Sequence, residues 1–327
     1  MTGALDGRPR WSCWHLHLDS AAPALVDTVL LDVVEPVVRE LRADGAITGW
    51  FFIRYWQHGP HLRLRLAGLD GAAEPGVTAA LAERLAPVNA GVPDGERMST
   101  EQYHRSTGPI ARAGEGGADG FEALPLAALR PGGVHREPYT PETDRYGGPA
   151  LLGLSESLFG DSSELVAAVL RARPNWNGRV SFALLAIAGA VRAADPDEVS
   201  QERFLRGLRA SWLTWAGRAE HPGMNPLAAR EASLRSAGLL AARFPGGPGA
   251  LPGAGRAADR WAERLGGAMD VWRDAARAGT LSSGPPEILA SHLHMTLNRL
   301  GFGPEQEVFL LSVLIELWAG RRTAAAA

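Results

Sequence analysis

Two short segments with a two-residue hydrophobic period, joined by a glycine–proline turn, constrain the fold of this chain most. They are Gly49–Trp56 and His61–Leu66, and Gly59-Pro60 lies between them. In the second segment leucines alternate with Arg63 and Arg65, so a strand conformation places leucines on one face and guanidiniums on the other. The pattern predicts a β-hairpin with an apolar face and a cationic face.

The segments around this hairpin predict a ferredoxin-like unit. Trp11–Leu18 alternates and is rich in aromatic residues, which is typical of a strand. A helix over 21–43, kinked at Pro36, and a second helix over Glu74–Asn89 complete the order strand, helix, strand, strand, helix. We expect Val134–Tyr139 to supply the last strand, after an irregular stretch that includes the glycine-rich loop Gly114–Gly120.

From Pro149 onward the hydrophobic period is helical. The predicted helices are Ala150–Phe159, Ser162–Ala172, Val180–Ala193, Ser200–Ala216, Pro226–Phe244, Ala257–Ala278, Pro286–Leu300 and Pro304–Ala319, with a flexible loop at Pro245–Gly255. The predicted fold is therefore α+β, with a small ferredoxin-like antiparallel sheet in the N-terminal half packed with a C-terminal helical bundle. We expect a sheet unit over residues 1–148 and a helical region over residues 149–327.

Basic and sulfur-containing residues exclude several classes of protein. All 33 strong bases are arginine, so no lysine can form a Schiff base, anchor pyridoxal phosphate or complete a P-loop. A formal net charge of -3 argues against a general nucleic-acid binder. The single cysteine, Cys13, permits no internal disulfide and no cysteine-based zinc site.

No apolar run reaches the length that spans a bilayer, and the first residues lack the apolar core of a signal peptide. We therefore expect a cytoplasmic protein without a membrane partner.

A guanidinium stays charged in any environment and presents a planar fork of donors that suits carboxylates and oxyanions. Arg63 and Arg65 on one strand face fit such a site, although a solvated sheet face gives the same pattern. A second segment places Glu142 three residues before Arg145, beside Tyr146 and a Gly-Gly pair. An exposed ion pair at a helix start, worth about 0.3–0.5 kcal/mol, is the simpler interpretation of that spacing taken alone.

A third segment near the C-terminus, SHLHMTLNRLG, lies on an apolar predicted helix. His294 and Asn298 share one helical stripe, and Arg299 falls near His292. A packing role is the common one for such a histidine. We expect no metal site at His15-x-His17 or His58-x-x-His61, since neither a cysteine cluster nor a helical histidine pair accompanies them.

Taken together, FIRYWQHGPHLRLRL, YTPETDRYGG and HMTLNRLG resemble, in order and spacing, the C-terminal elimination domain of class I lanthipeptide dehydratases. The same domain occurs as a stand-alone protein in thiopeptide biosynthesis. The resemblance covers nearly the whole chain and implies that its two halves form one elimination-type catalytic domain.

The resemblance implies catalytic residues at Arg63, Arg65, Glu142, Arg145 and His294. We further predict substrate contacts by residues in or near the same segments, namely Arg54, Trp56, His61, Tyr146, Asn298 and Arg299. The arginines are expected to bind the glutamyl group and an oxyanion, His294 to transfer a proton, and Glu142 to orient one of these groups. Which residue acts as the base stays open. No cofactor is implied.

The implied reaction eliminates glutamate from glutamylated serine or threonine of a precursor peptide, giving dehydroalanine or dehydrobutyrine. The reaction requires a separate enzyme that glutamylates the peptide with glutamyl-tRNA. A homodimer of this chain is left open. Two alternatives stay open. One is a thiopeptide pyridine synthase that joins two dehydroalanines in a formal [4+2] cycloaddition and releases the leader peptide, although such relatives tend to lose the elimination residues. The other is a non-catalytic module that binds the precursor peptide.

Overall fold

The computed structural model describes residues 9–114, 127–218 and 255–325. The chain forms two compact units, which we call the sheet unit (Met1–Glu142 with Ser155–Ala172) and the helical unit (Thr143–Leu154 with Arg173–Ala327). The predicted division into a sheet unit over residues 1–148 and a helical region over residues 149–327 stays a prediction.

The sheet unit contains a four-stranded antiparallel sheet. Its strands are β1 (Trp11–His17), β2 (Gly49–Tyr55), β3 (His61–Ala67) and β4 (Gly133–Glu137), in the spatial order β2-β3-β1-β4. Helices follow β1 and β3, as in a ferredoxin-like unit. The predicted hairpin, the predicted last strand and the α+β fold class are confirmed.

One face of this sheet forms the core of the sheet unit. Leu64 pairs with Trp14 on β1 and with Phe52 on β2, and all three side chains are fully buried. Leu62 and Leu66 lie on the same face and are also fully buried. Burying one such leucine stabilises the fold by about 1.5–3 kcal/mol, so this row fixes the face that each strand turns inward.

The predicted helix over 21–43 is divided into three parts. They are α1 (Pro23–Thr28), a π-helical turn (Val29–Val34) and α2 (Glu35–Ala43). Pro36 has no N–H to donate, and the Glu35 N–H donates to the Leu30 carbonyl five residues back. The interruption therefore comes immediately before the proline that predicted a kink.

Two further helices complete the description of residues 9–114. They are α3 (Glu74–Ala90), as predicted, and α4 (Thr100–Gly114). The stretch holding α4 was expected to be irregular, and that expectation is wrong. Ser99 Oγ accepts from Gln102 N at 3.1 Å and Gln102 Oε1 accepts from Ser99 N at 2.8 Å, a capping box whose pattern stands in the sequence.

In the described part of residues 127–325 the helices are α5 (Leu152–Arg171), α6 (Trp176–Ala194), α7 (Glu198–Arg218), α8 (Gly255–Arg277), α9 (Pro285–Leu300) and α10 (Pro304–Ala325). The two helices predicted over 150–172 are one, because Gly160 does not break α5. A Cβ there would lie 3.3 Å from the Trp50 carbonyl oxygen, so glycine lets α5 approach the outer edge of β2.

The predicted helix Pro226–Phe244 lies outside the described residues. So do the predicted loops Gly114–Gly120 and Pro245–Gly255, except for Gly114 and Gly255 themselves.

Among the described residues, none of the helices combines the length and apolarity that a membrane crossing requires.

Candidate functional site

The face of the sheet opposite the leucine row carries a dense set of polar side chains, which we call the polar sheet face. Antiparallel register puts Arg65 beside Cys13, Arg63 beside His15, and His61 beside His17. The neighbouring strands add Phe51, Ile53, Tyr55, His135 and Glu137 to the same face. The predicted Arg63–Arg65 pair thus belongs to a partly buried surface rather than to a fully solvated one.

Arg65 is the most buried cation of this face, with 7% of the residue exposed. Its guanidinium carbon lies 5.1 Å from the centre of the Phe51 ring and 5.3 Å from that of Tyr139. Its Nε and Nη1 have no hydrogen-bond partner among the described residues. A buried cation with unused donors is costly, and a bound carboxylate or oxyanion would satisfy both donors.

Arg63 is held by its neighbours on the same face. Its guanidinium carbon lies 3.4 Å from the centre of the Tyr55 ring, and its Nε donates to His61 Nε2 at 3.2 Å. His61 Nδ1 in turn lies 2.9 Å from the Gly59 carbonyl oxygen, to which it donates. Burial lowers the pKa of Arg63 below its ordinary value, while Tyr55 and the more distant Glu142 oppose that shift.

Three predicted residues of the sheet unit lie around this pair in different ways. Arg54 points to the opposite face, where its Nη2 bonds Asp27 Oδ1 at 2.6 Å, so the structure does not bring it together with Arg63 and Arg65. Trp56 stacks on Tyr55 with ring centres 6.0 Å apart. Glu142 is exposed.

In the helical unit, Arg145 and Tyr146 lie in a 3₁₀ turn, Asp144–Tyr146, that ends at Gly147 with φ of 89°. A Cβ on Gly147 would lie 2.9 Å from Ile288 Cδ1, so both the backbone and the packing require glycine. The turn directs Arg145 to α9, where its Nε donates to Ser291 Oγ at 3.1 Å.

One stripe of α9 carries Ser291, His294 and Asn298. His294 Nδ1 lies 2.8 Å from Glu307 Oε1 on α10, and the His294 side chain keeps 19% of its surface exposed. Glu307 is buried, and burial raises the pKa of its carboxyl above the ordinary value, while His294 opposes that shift. A half-buried imidazole held at Nδ1 by a buried carboxylate has its Nε2 available to take a proton.

A second stripe of α9 carries His292 and Arg299, each 1% exposed. The His292 ring stacks on Trp272 with centres 5.4 Å apart and lies 5.2 Å from the Tyr146 ring. Burial, with the nearby Arg299 and Arg145 charges, lowers the pKa of His292 to about 3. These residues form the interior behind His294. The predicted Asn298 is half-buried, and its carbonyl accepts from Gly301 N at 2.9 Å.

Sequence reasoning missed Glu307 and His135, and it assigned no role to His15 and His17. Glu307 stands in the first turn of α10, where an acidic residue is ordinarily explained by the helix dipole. His135 pairs with His15 only because β4 adds to β1 across a long connection. The alternation of β4 carried a signal for His135, whereas no local pattern marks Glu307.

The two units therefore offer different chemistry. The polar sheet face can bind an anion through Arg63 and Arg65. The helical unit holds an imidazole–carboxylate pair, His294–Glu307, that suits proton transfer. Arg145 provides a fixed positive charge in that unit.

The chain is similar to one protein family and to several solved structures. Residues 11–317 match the family described as "Lantibiotic biosynthesis dehydratase C-term". No curated protein matches the chain significantly. Among solved structures, the chain is similar to the pyridine synthase TbtD from thiomuracin biosynthesis, with a TM-score of 0.73, 21% identity, and coverage of 95% of this chain and 98% of that one.

Two other solved structures share the fold. TsrL matches with a TM-score of 0.59 and 18% identity over 95% of each chain. The tRNA-dependent lantibiotic dehydratase MibB from Microbispora sp. 107891 matches with a TM-score of 0.55 and 22% identity, and the match covers 98% of this chain and 29% of MibB. The family match spans nearly the whole chain, so the protein belongs to the family of lantibiotic dehydratase C-terminal domains.

Proposed function

We propose that this protein eliminates glutamate from glutamylated serine and threonine residues of a ribosomally made precursor peptide. The observation that carries the proposal is Arg65, a buried guanidinium beside a second arginine on one sheet face, with two donors that no described residue accepts from. A glutamylated residue brings the carboxylate of its glutamyl group to such a face, whereas a dehydroalanine side chain carries no charge.

In the proposed reaction a base removes the Cα proton of the glutamylated residue. The electron pair forms the Cα–Cβ double bond, the Cβ–O bond breaks, and glutamate leaves as a carboxylate. The leaving group is a weak base and needs little acid help, so the difficult step is stabilising the enolate-like charge on the peptide carbonyl. Fixed guanidiniums supply that stabilisation without titrating.

The residues divide this work as follows. Arg63 and Arg65 bind the carboxylate of the glutamyl group, and Arg145 stabilises the developing oxyanion. His294 takes the proton at Nε2, while Glu307 accepts a hydrogen bond from Nδ1 and stabilises the imidazolium that forms. Glu142 supports the charge of Arg63, in agreement with the direction in which it moves the pKa of that arginine.

The proposal implies two partners. One is the precursor peptide, with its leader and core. The other is a separate enzyme that attaches glutamate from glutamyl-tRNA. The chemistry requires no cofactor, because proton transfer and electrostatic stabilisation suffice.

A second candidate is pyridine synthesis by formal [4+2] cycloaddition of two dehydroalanines with release of the leader peptide. The observation that favours it is the likeness to TbtD over 98% of that chain, which is broader than the likeness to MibB. This comparison supports the cycloaddition better than the elimination, while the retained arginine and histidine set supports the elimination.

Two synthetic peptides separate these candidates, one glutamylated on serine and one already carrying two dehydroalanines. Mass spectrometry should show loss of glutamic acid from the first peptide and no cyclisation of the second. Cyclisation of the second peptide with loss of its leader, and no change in the first, would establish the synthase instead. Binding of both peptides without any mass change would support a non-catalytic binding module.

A further inference from the structure

Three imidazoles meet on the polar sheet face next to the arginine pair. His15 and His17 belong to β1 and His61 belongs to β3. His61 stacks between the other two rings, with its centre 4.4 Å from that of His17 and 4.8 Å from that of His15. Strand pairing thus brings together histidines that lie more than forty positions apart in the chain.

Each of the three side chains has a ring nitrogen close to those of the other two. These nitrogens all lie within 4.8 Å of one another. In a tetrahedral site with Zn–N bonds of about 2.0–2.1 Å, ligand nitrogens stand about 3.4 Å apart. The rings, which are stacked in the structure, would have to rotate to close that difference.

The ring nitrogens of His17 are unsatisfied in the described part of the chain. His17 is 1% exposed, and neither ring nitrogen has a hydrogen-bond partner among the described residues. A buried imidazole left unsatisfied in this way destabilises the fold. His135 lies edge-on to His17, with ring centres 5.2 Å apart, and its buried Nε2 also has no partner in the described part of the chain, so it is a candidate fourth ligand.

The surroundings favour the form of histidine that binds metals. The Nδ1–H of His61 donates to the Gly59 carbonyl, which fixes the ring and presents the Nε2 lone pair to its neighbours. His15 is only half-buried, so an ion can reach the site from solvent on that side.

We propose that His15, His17 and His61 form a binding site for a late first-row divalent cation, with Zn²⁺ as the first choice. Three imidazole nitrogens and an open position suit this class of ion. The inference goes beyond the proposed function, and its test measures bound metal rather than elimination. The earlier expectation of no metal site rested on spacing along the chain, which does not include pairing between strands.

Arg63 is the residue that most disfavours a cation at the three histidines. Its Nε donates to the same His61 Nε2 lone pair, so metal and guanidinium compete for one atom. Arg65 and Arg130 add positive charge nearby, and both contribute to the lowered pKa of His15. Replacing Arg63 with methionine removes the competitor and one charge, and should tighten zinc binding on the order of tenfold.

Equilibrium dialysis of chelator-treated protein against Zn²⁺ tests the site. We expect wild type to retain one zinc per chain, His17→Ala and the half-exposed His15→Ala to bind at least about tenfold more weakly, and the exposed control His104→Ala to match wild type. Circular dichroism without metal identifies any variant that fails to fold, and His15→Ala then decides. Failure of wild type to bind zinc, or equal binding by folded His15→Ala and His104→Ala, would overturn the proposal.

Cobalt gives a second readout of the ligand set. Co²⁺ bound by imidazoles in a tetrahedral site has intense visible absorption bands, whereas the visible bands of octahedral hydrated Co²⁺ are weak. The bands should appear with wild type, disappear with His15→Ala and strengthen at limiting Co²⁺ with Arg63→Met. Bands that persist unchanged in His15→Ala would place the ion elsewhere and refute the proposed ligand set.

Discussion

At the scale of single residues, the contact between His294 and Glu307 carries the proposed proton transfer. The carboxylate is almost fully buried, and its distance of 2.8 Å from Nδ1 leaves little freedom in the orientation of the imidazole. An exposed acid at the same helix start would give neither the orientation nor the low local dielectric that strengthens the interaction. His294 thus depends on a residue that no motif in the sequence marks.

The substitution Glu307→Gln tests that dependence. Glutamine keeps the size of the side chain but removes the charge that stabilises the imidazolium. We expect kcat for glutamate release to fall by about 10–100-fold with little change in KM. Glu305→Gln, an exposed neighbour in the same helical turn, is the matched control and should leave both constants unchanged. Activity of Glu307→Gln within about twofold of wild type would contradict the role of this pair.

At the scale of elements, the short turn that precedes α5 depends on glycine. Gly147 adopts φ of 89° and packs against Ile288. Gly147→Ala should therefore lower the free energy of unfolding by about 1–2 kcal/mol, through backbone strain and the contact with Ile288. The measurement is the urea midpoint of the purified variant.

Gly207→Ala is the matched control for this prediction. Gly207 lies exposed in the middle of α7, where a Cβ would meet nothing within 4 Å. The same chemical change there should raise the free energy of unfolding by about 0.5–1 kcal/mol because it removes a flexible residue from a helix. Equal effects at the two positions would show that the turn does not require glycine.

Local patterns in the sequence predict most of these elements. The alternation around Arg63 and Arg65 gives both the hairpin and its faces, because leucine must be buried on one side. The errors occur where long-range packing decides. Gly160 indicates a break when viewed locally, yet it serves a close approach to Trp50. For α4 the failure was of a different kind, since its capping box was present in the sequence and was overlooked.

At the scale of the whole molecule, buried neutral histidines make the fold sensitive to acid. The pKa values of His15, His17 and His292 lie at about 2 to 3 in the folded chain, against 6.5 ordinarily. As the pH falls through 6.5 the unfolded chain takes up protons that the folded chain refuses, so the unfolded state gains stability. Stability is thus retained above 6.5 and lost progressively toward pH 3, by up to about 1.4 kcal/mol per pH unit for each histidine.

Urea unfolding at about pH 7 and about pH 4.5, with chelator present, measures this loss. We expect wild type to lose stability between the two values and His17→Gln to lose clearly less, because it removes one refused proton. His104→Gln, at an exposed position, should behave like wild type. Identical losses in His17→Gln and wild type would mean that the folded chain protonates the His17 ring as readily as the unfolded chain does between these two pH values.

The candidate site was predictable from the sequence only in part. The Arg63–Arg65 pair follows from strand alternation, and the Arg145 and His294 segments follow from the family resemblance. Arg54 illustrates the limit, because one position along β2 reverses the face to which a side chain points, and its partner Asp27 comes from a different element. Recognising the roles of Glu307, His17 and His135 required the tertiary structure, because the side chains next to them come from other strands or helices.

The most direct test of the account uses mass spectrometry to measure glutamate release from a glutamylated precursor peptide under single-turnover conditions. Wild type should release glutamic acid and leave dehydroalanine, Arg65→Met and His294→Ala should be slower by at least about 100-fold, and His104→Ala should match wild type. Full release by Arg65→Met and His294→Ala, or no release by wild type alongside cyclisation of the dehydroalanine peptide, would contradict it.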